Sequence, residues 1–86
     1  MVYWLAIMNR YLYSSSGSTI GYFDSEDKYL YDNSGSVLAY FDSRKKYMYK
    51  PDGSVYGYVG GSDGKYLYEE SGNVIGYFHP KLEEPI

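Results

Sequence analysis

The chain has 86 residues, 44% hydrophobic and 22% charged, with a net charge of −3, which suits one domain around a single small core and is too apolar for a disordered tail. There is no cysteine and one histidine, His79, which excludes disulfide staples, thiol nucleophiles and the usual structural zinc sites. Eight Lys and Arg against eleven Asp and Glu leave no basic footprint for phosphates, so nucleic acid is not an expected partner.

The first segment, Val2 to Met8 (VYWLAIM), is the most apolar. It is far short of the roughly 20 residues of a membrane helix, and no basic residue follows Met1 to begin a secretory signal. No transmembrane segment is expected, and a cytoplasmic location is the default reading. The same stretch suits a ninth strand or a short helix, which periodicity does not separate.

From Tyr11 the chain repeats, and a fixed period decides a fold before any local assignment does. The copies read YLYSSSGSTIGYFDSEDK (11–28), YLYDNSGSVLAYFDSRKK (29–46), YMYKPDGSVYGYVGGSDGK (47–65) and YLYEESGNVIGYF (66–78). Their starts are spaced by 18, 18 and 19 residues, and thirteen of the fourteen tyrosines fall inside them. A tail, 79–86, completes the single domain, 1–86.

Each copy predicts a β-hairpin, because two runs of Tyr, Val, Ile and Phe flank turn residues that end in glycine. In Lys50-Pro51-Asp52-Gly53 the proline presets φ, and the glycine takes the left-handed position after a type I turn. Gly17, Gly35 and Gly72 are its equivalents. The links Asp24 to Lys28, Asp42 to Lys46 and Gly60 to Lys65 suit hairpin returns and are too short for crossover helices. An antiparallel meander of eight strands follows.

With that turn alone, Tyr49 is expected opposite Val55, Met48 opposite Tyr56 and Tyr47 opposite Gly57. One face then carries Leu12 with Ile20, Leu30 with Leu38, Met48 with Tyr56 and Leu67 with Ile75, a candidate lining for an apolar axial channel. The other face is aromatic and is a candidate interaction surface. It carries Tyr11, Tyr13 and Phe23, then Tyr29, Tyr31 and Phe41, then Tyr47 and Tyr49, then Tyr66, Tyr68 and Phe78, with a tyrosine ring laid over Gly21, Ala39, Gly57 or Gly76. Two partly apolar faces disfavour a flat ribbon in water. The expected fold is therefore all-β, four β-hairpin repeats closed as a shallow pseudo-four-fold-symmetric barrel with the aliphatic face inward.

The phrase Y-x-Y, turn residues, Gly, then x-V-x-G/A-Y-F, present from Tyr11 to Phe78, resembles the repeat of the bacterial four-fold β-flower domains. That resemblance implies hairpin petals around an axis and no particular biochemical activity. The serine-rich first turn (Ser14 to Ser16), the Gly60-Gly61 insertion and the tail from Lys81 to Ile86 depart from the pattern.

Candidate chemistry is sparse. His79, in a tail with Lys81, Glu83 and Glu84, has no serine partner at a fixed position, and Ser34 and Ser71 fit turns that bond the backbone. Asp24 and Asp42 end equivalent strands, and Glu26 and Asp27 add charge to one link. The third unit has Gly60 in place of the aspartate, which argues against a four-fold metal ring, and no metal or other cofactor is expected. Lys28, Lys46 and Lys65 precede the first tyrosine of a unit, and Arg44, Lys45 and Lys46 form the most basic rim, a candidate anion or lipid-headgroup site. The expected function is a non-catalytic binding or interaction module whose partner is a protein, a second copy or lipid. The alternatives are a small-ligand or lipid-binding barrel with an axial channel, and a structural repeat or assembly component.

Overall fold

A computed structural model describes residues 9–82. The expectation for 2–8 and the end of the tail lie outside these residues. The strands are β1 (Asn9–Tyr13), β2 (Thr19–Asp24), β3 (Tyr29–Asp32), β4 (Val37–Asp42), β5 (Tyr47–Tyr49), β6 (Val55–Gly60), β7 (Tyr66–Tyr68) and β8 (Val74–His79). Each pairs antiparallel with the next, and β1 pairs with β8 through Tyr11↔His79, Leu12↔Phe78 and Tyr13↔Tyr77, closing the barrel. Closure leaves these eight strands without an unpaired edge.

The petal tips follow the turn chemistry. The amides of Gly17, Gly35, Gly53 and Gly72 donate to the carbonyls of Ser14, Asp32, Lys50 and Glu69 at 2.8–3.0 Å, with glycine φ between 92° and 99°. An L side chain strains in that region, and glycine does not. At the opposite end, the amides of Lys28 and Lys46 reach back to the carbonyls of Asp24 and Asp42 at 2.8 Å, with φ of 67° and 64° at the two lysines.

The expected register holds at the tip and changes one residue further in. Tyr49 does face Val55, but Met48 faces Gly57 and Tyr47 faces Tyr58 across a β-bulge. The same shift occurs in every petal, so Leu12 faces Gly21, Leu30 faces Ala39 and Leu67 faces Gly76. Ile20, Leu38, Tyr56 and Ile75 are the extra, bulged residues. A one-residue slip exchanges the faces of the rest of a strand. The pairs of Leu or Met with an aliphatic residue or Tyr56 are thus replaced by pairs of Leu or Met with Gly or Ala, and the small residues face inward rather than beneath tyrosine rings.

The core is built in tiers along the axis. Leu12, Leu30, Met48 and Leu67 are fully buried, and Phe23, Phe41, Val59 and Phe78 form a second buried tier. Phe23 packs edge-on against Phe41 at 5.9 Å and Phe78 at 6.5 Å between ring centroids, a favoured quadrupolar geometry. Ile20, Leu38, Tyr56 and Ile75 pack on this core half-buried. At the base, buried Arg10 donates from Nε to the Lys81 carbonyl at 3.1 Å and from Nη1 to Ser25 Oγ at 2.8 Å. The tail turns there through a cis His79–Pro80 bond, and Leu82 enters the core while its amide donates to the Gly64 carbonyl at 3.0 Å.

Candidate interaction surface: the tyrosine belt

The bulge that sends Phe23, Phe41 and Phe78 inward sends Tyr22, Tyr40, Tyr58 and Tyr77 outward. The three phenylalanines, expected on the aromatic outer face, are therefore core residues. The four tyrosines complete ladders that the tip-based register does not contain. Tyr11, Tyr22 and Tyr31 stand opposite one another across three strands, and so do Tyr29, Tyr40 and Tyr49. Tyr47, Tyr58 and Tyr68 form the third ladder, and Tyr66, Tyr77 and Tyr13 the fourth. A ladder starts in one petal and ends in the next, so side-chain pairing ties the petals together.

Rings meet closely within the ladders. Tyr22 stacks on Tyr31 at 5.1 Å, Tyr58 on Tyr68 at 5.3 Å and Tyr13 on Tyr77 at 5.5 Å. Successive ladders are joined along one strand by Tyr29–Tyr31 at 6.2 Å, Tyr47–Tyr49 at 6.0 Å, Tyr66–Tyr68 at 6.1 Å and Tyr11–Tyr13 at 6.3 Å. Twelve tyrosines thus make a belt around the barrel. Tyrosine suits this place because its ring packs on the sheet while its hydroxyl stays wet, whereas phenylalanine has no polar end. That chemical difference is the signal in the sequence that distinguishes the two tiers.

Exposed large apolar residues cluster around the second petal. Tyr29, Val37 and Tyr40 are 40%, 39% and 39% exposed, with Tyr47 beside them at 38%. Tyr29, Val37, Tyr40 and Pro51 line a shallow apolar recess of about 330 Å³. Elsewhere among the described residues, Tyr11 is 48% and Val74 45% exposed.

Charges border the belt. The Asp27 carboxylate accepts the Tyr31 hydroxyl at 2.5 Å through Oδ2 and the Tyr29 amide at 2.8 Å through Oδ1, and this hydrogen bond, chiefly, holds the Tyr31 phenol up at about 12. Lys65 Nζ lies 5.3 Å from the Tyr66 ring centre, a cation–π contact. Arg44, Lys45 and Lys46 are exposed in the link after β4, where Asp42 Oδ1 accepts the amides of Arg44 at 3.0 Å and Lys45 at 3.3 Å.

The remaining candidates do not converge. Leu12, Leu30, Met48 and Leu67 sit on the axis as packed core, with Ile20, Leu38, Tyr56 and Ile75 toward the tips. Burial pushes the Tyr56 phenol up. His79 is exposed at the end of β8. Ser34 and Ser71 donate to their own tip carboxylates, Asp32 at 2.7 Å and Glu69 at 3.2 Å. Asp24 accepts the Glu26 amide at 2.8 Å, capping its own link. Among the described residues no group of three or more His, Asp or Glu is placed to hold a metal, and no helix is long and apolar enough to cross a membrane. Sequence reasoning missed Arg10, a lone cation beside an apolar stretch with nothing local to mark it as buried.

No curated protein and no solved structure matches the chain. A family model described as "4-fold beta flower protein" matches residues 10–82, the same span that forms the four petals, their bulged ladders and the closing tail. The chain belongs to the four-fold β-flower protein family.

Proposed function

We propose that the chain is a non-catalytic interaction module that docks a protein surface on its tyrosine belt. The observation that carries this reading is the belt itself, with Tyr11, Tyr29, Tyr40 and Tyr47 each more than a third exposed. Tyrosine offers large, stiff contact area with a hydrogen-bonding tip, and it is enriched at protein interfaces for that reason. A small ligand on the axis would have to displace Leu12, Leu30, Met48 and Leu67, which are already packed together. The test is binding of a hydrophobic dye to the folded protein and to a variant with Tyr11, Tyr29, Tyr40 and Tyr47 changed to glutamine. Dye binding by the native chain and its loss in an equally stable variant are expected. A native chain that is monomeric and binds no dye overturns the reading.

A further inference from the structure

The repeats place opposite charges at equivalent positions on the two sides of the second petal. Eighteen residues separate Glu26 from Arg44, Asp27 from Lys45 and Asp32 from Lys50. The first of each pair lies on the β3 side of the petal and the second on the β4–β5 side. The link 24–28 carries three carboxylates and one lysine, and the link 42–46 carries three cations and one carboxylate. The hydrogen bond from Tyr31 places Asp27 against the outer tyrosine face, and repeat equivalence brings Lys45 to the corresponding place beside the next petal. Between these flanks lie Tyr29, Val37 and Tyr40, with Pro51 at the edge of their recess.

We infer that this face is the contact between two copies of the chain, related by a two-fold axis parallel to the barrel axis. The inference rests on the belt as an interaction surface and names its partner. Such an axis exchanges left and right but keeps both bases at the same end. Glu26, Asp27 and Asp32 of one copy then meet Arg44, Lys45 and Lys50 of the other, twice over. A two-fold interface must be self-complementary, and this pattern meets that condition where a uniformly charged rim would not. The apolar strip of Tyr29, Val37 and Tyr40 closes on itself across the axis. Both flanks are needed as well, since a stable dimer buries roughly 800 Å² on each partner. The basic rim of Arg44, Lys45 and Lys46 is on this account one half of a charge pair rather than an anion site.

The experiment is sedimentation velocity with native mass spectrometry, from micromolar to near-millimolar concentration and at low and high salt. The native chain should dimerise more weakly as salt rises. Glu26→Lys with Asp27→Lys, and separately Arg44→Glu with Lys45→Glu, should each weaken self-association by roughly tenfold or more. A mixture of these two variants should form a mixed dimer. Val37→Arg should abolish association in both backgrounds. A native chain that stays monomeric throughout overturns the inference, as does a dimer indifferent to Val37→Arg or a mixture that fails to pair. Thermal unfolding of each variant identifies any that fails to fold. Dye binding separates the two readings: a monomer that still binds dye through the belt removes the dimer alone, and a monomer that binds no dye removes both.

Discussion

The Tyr31 hydroxyl donates to the Asp27 carboxylate at 2.5 Å, fastening the last ring of the first tyrosine ladder to the link that enters its own strand. The same carboxylate accepts the Tyr29 amide, so one side chain organises both the link and the belt.

Tyr31 should therefore titrate near 12, above the ordinary phenol value of 10.0. A phenol pKa raised on folding contributes stability that is complete below the unfolded value, and that stability is lost as pH rises through the folded value. The window is accordingly alkaline, between about 10 and about 12. Site-resolved NMR titration of the tyrosine Cζ atoms measures it, and Asp27→Asn should bring Tyr31 back toward 10.0. An unchanged midpoint in that variant would assign the shift to something other than this hydrogen bond.

The inward glycines should resist substitution in proportion to how closely the neighbouring strand approaches. A Cβ at Gly21 would collide with the Tyr31 carbonyl oxygen and one at Gly76 with the Tyr13 carbonyl oxygen, while at Gly57 it would lie 2.6 Å from the Tyr68 carbonyl oxygen. Backbone cannot move aside as a flexible side chain can. Gly21→Ala and Gly76→Ala should each cost about 2–3 kcal/mol by overpacking, whereas Ala39→Gly at the equivalent site should cost only about 1 kcal/mol. Urea denaturation of the three variants decides it, and equal losses would contradict the packing.

Arg10 and Leu82 should act together in holding the base. Arg10→Ala removes charge-assisted bonds to the Lys81 carbonyl and Ser25, and a loss of about 2–3 kcal/mol follows from bonds of that kind. The Leu82 amide, bonded to Gly64, should lose hydrogen-exchange protection in the same variant. Full protection there would show that the tail docks independently of Arg10.

The tips of the second and third petals should hold Asp32 and Asp52 ionised below the usual carboxylate range. Asp32 is depressed chiefly by the Ser34 hydroxyl and Asp52 by that of Ser54. A carboxylate depressed on folding adds stability above its unfolded pKa, and that stability is lost as pH falls through the folded pKa, so the tips loosen only under strongly acidic conditions. Ser54→Ala should raise the Asp52 midpoint in a carboxyl NMR titration while leaving Asp32 unmoved. A joint shift would mean that the tips are coupled.

The repeat period, the tip glycines and the number of strands were all legible because each rests on local chemistry: a turn needs its left-handed residue whatever surrounds it. The bulge was not. Its residues, Ile20, Leu38, Tyr56 and Ile75, look like ordinary inward strand positions, and nothing in their identity marks an extra residue. That omission displaced the expected faces by one, hiding Tyr22, Tyr40, Tyr58 and Tyr77 from the outer surface and putting Phe23, Phe41 and Phe78 on it. Arg10 and Leu82 were illegible for another reason. Their burial depends on a tail and a link brought together only once the barrel has closed, 71 residues apart between Arg10 and Lys81.

Among the described residues, the pairing of β1 with β8 is the one ladder that joins strands far apart in the chain, and the other ladders link neighbours. Closing so long a loop carries the largest entropic cost, so the four hairpins are expected to form before this seam zips. A seam that resembles its neighbours can also be relocated. A circular permutant opened within 42–46, with 82 joined back to 9, should rebuild the same ring with β4 and β5 as its last pair. The cyclic order of the petals, and not which of them is made first, is what defines the architecture.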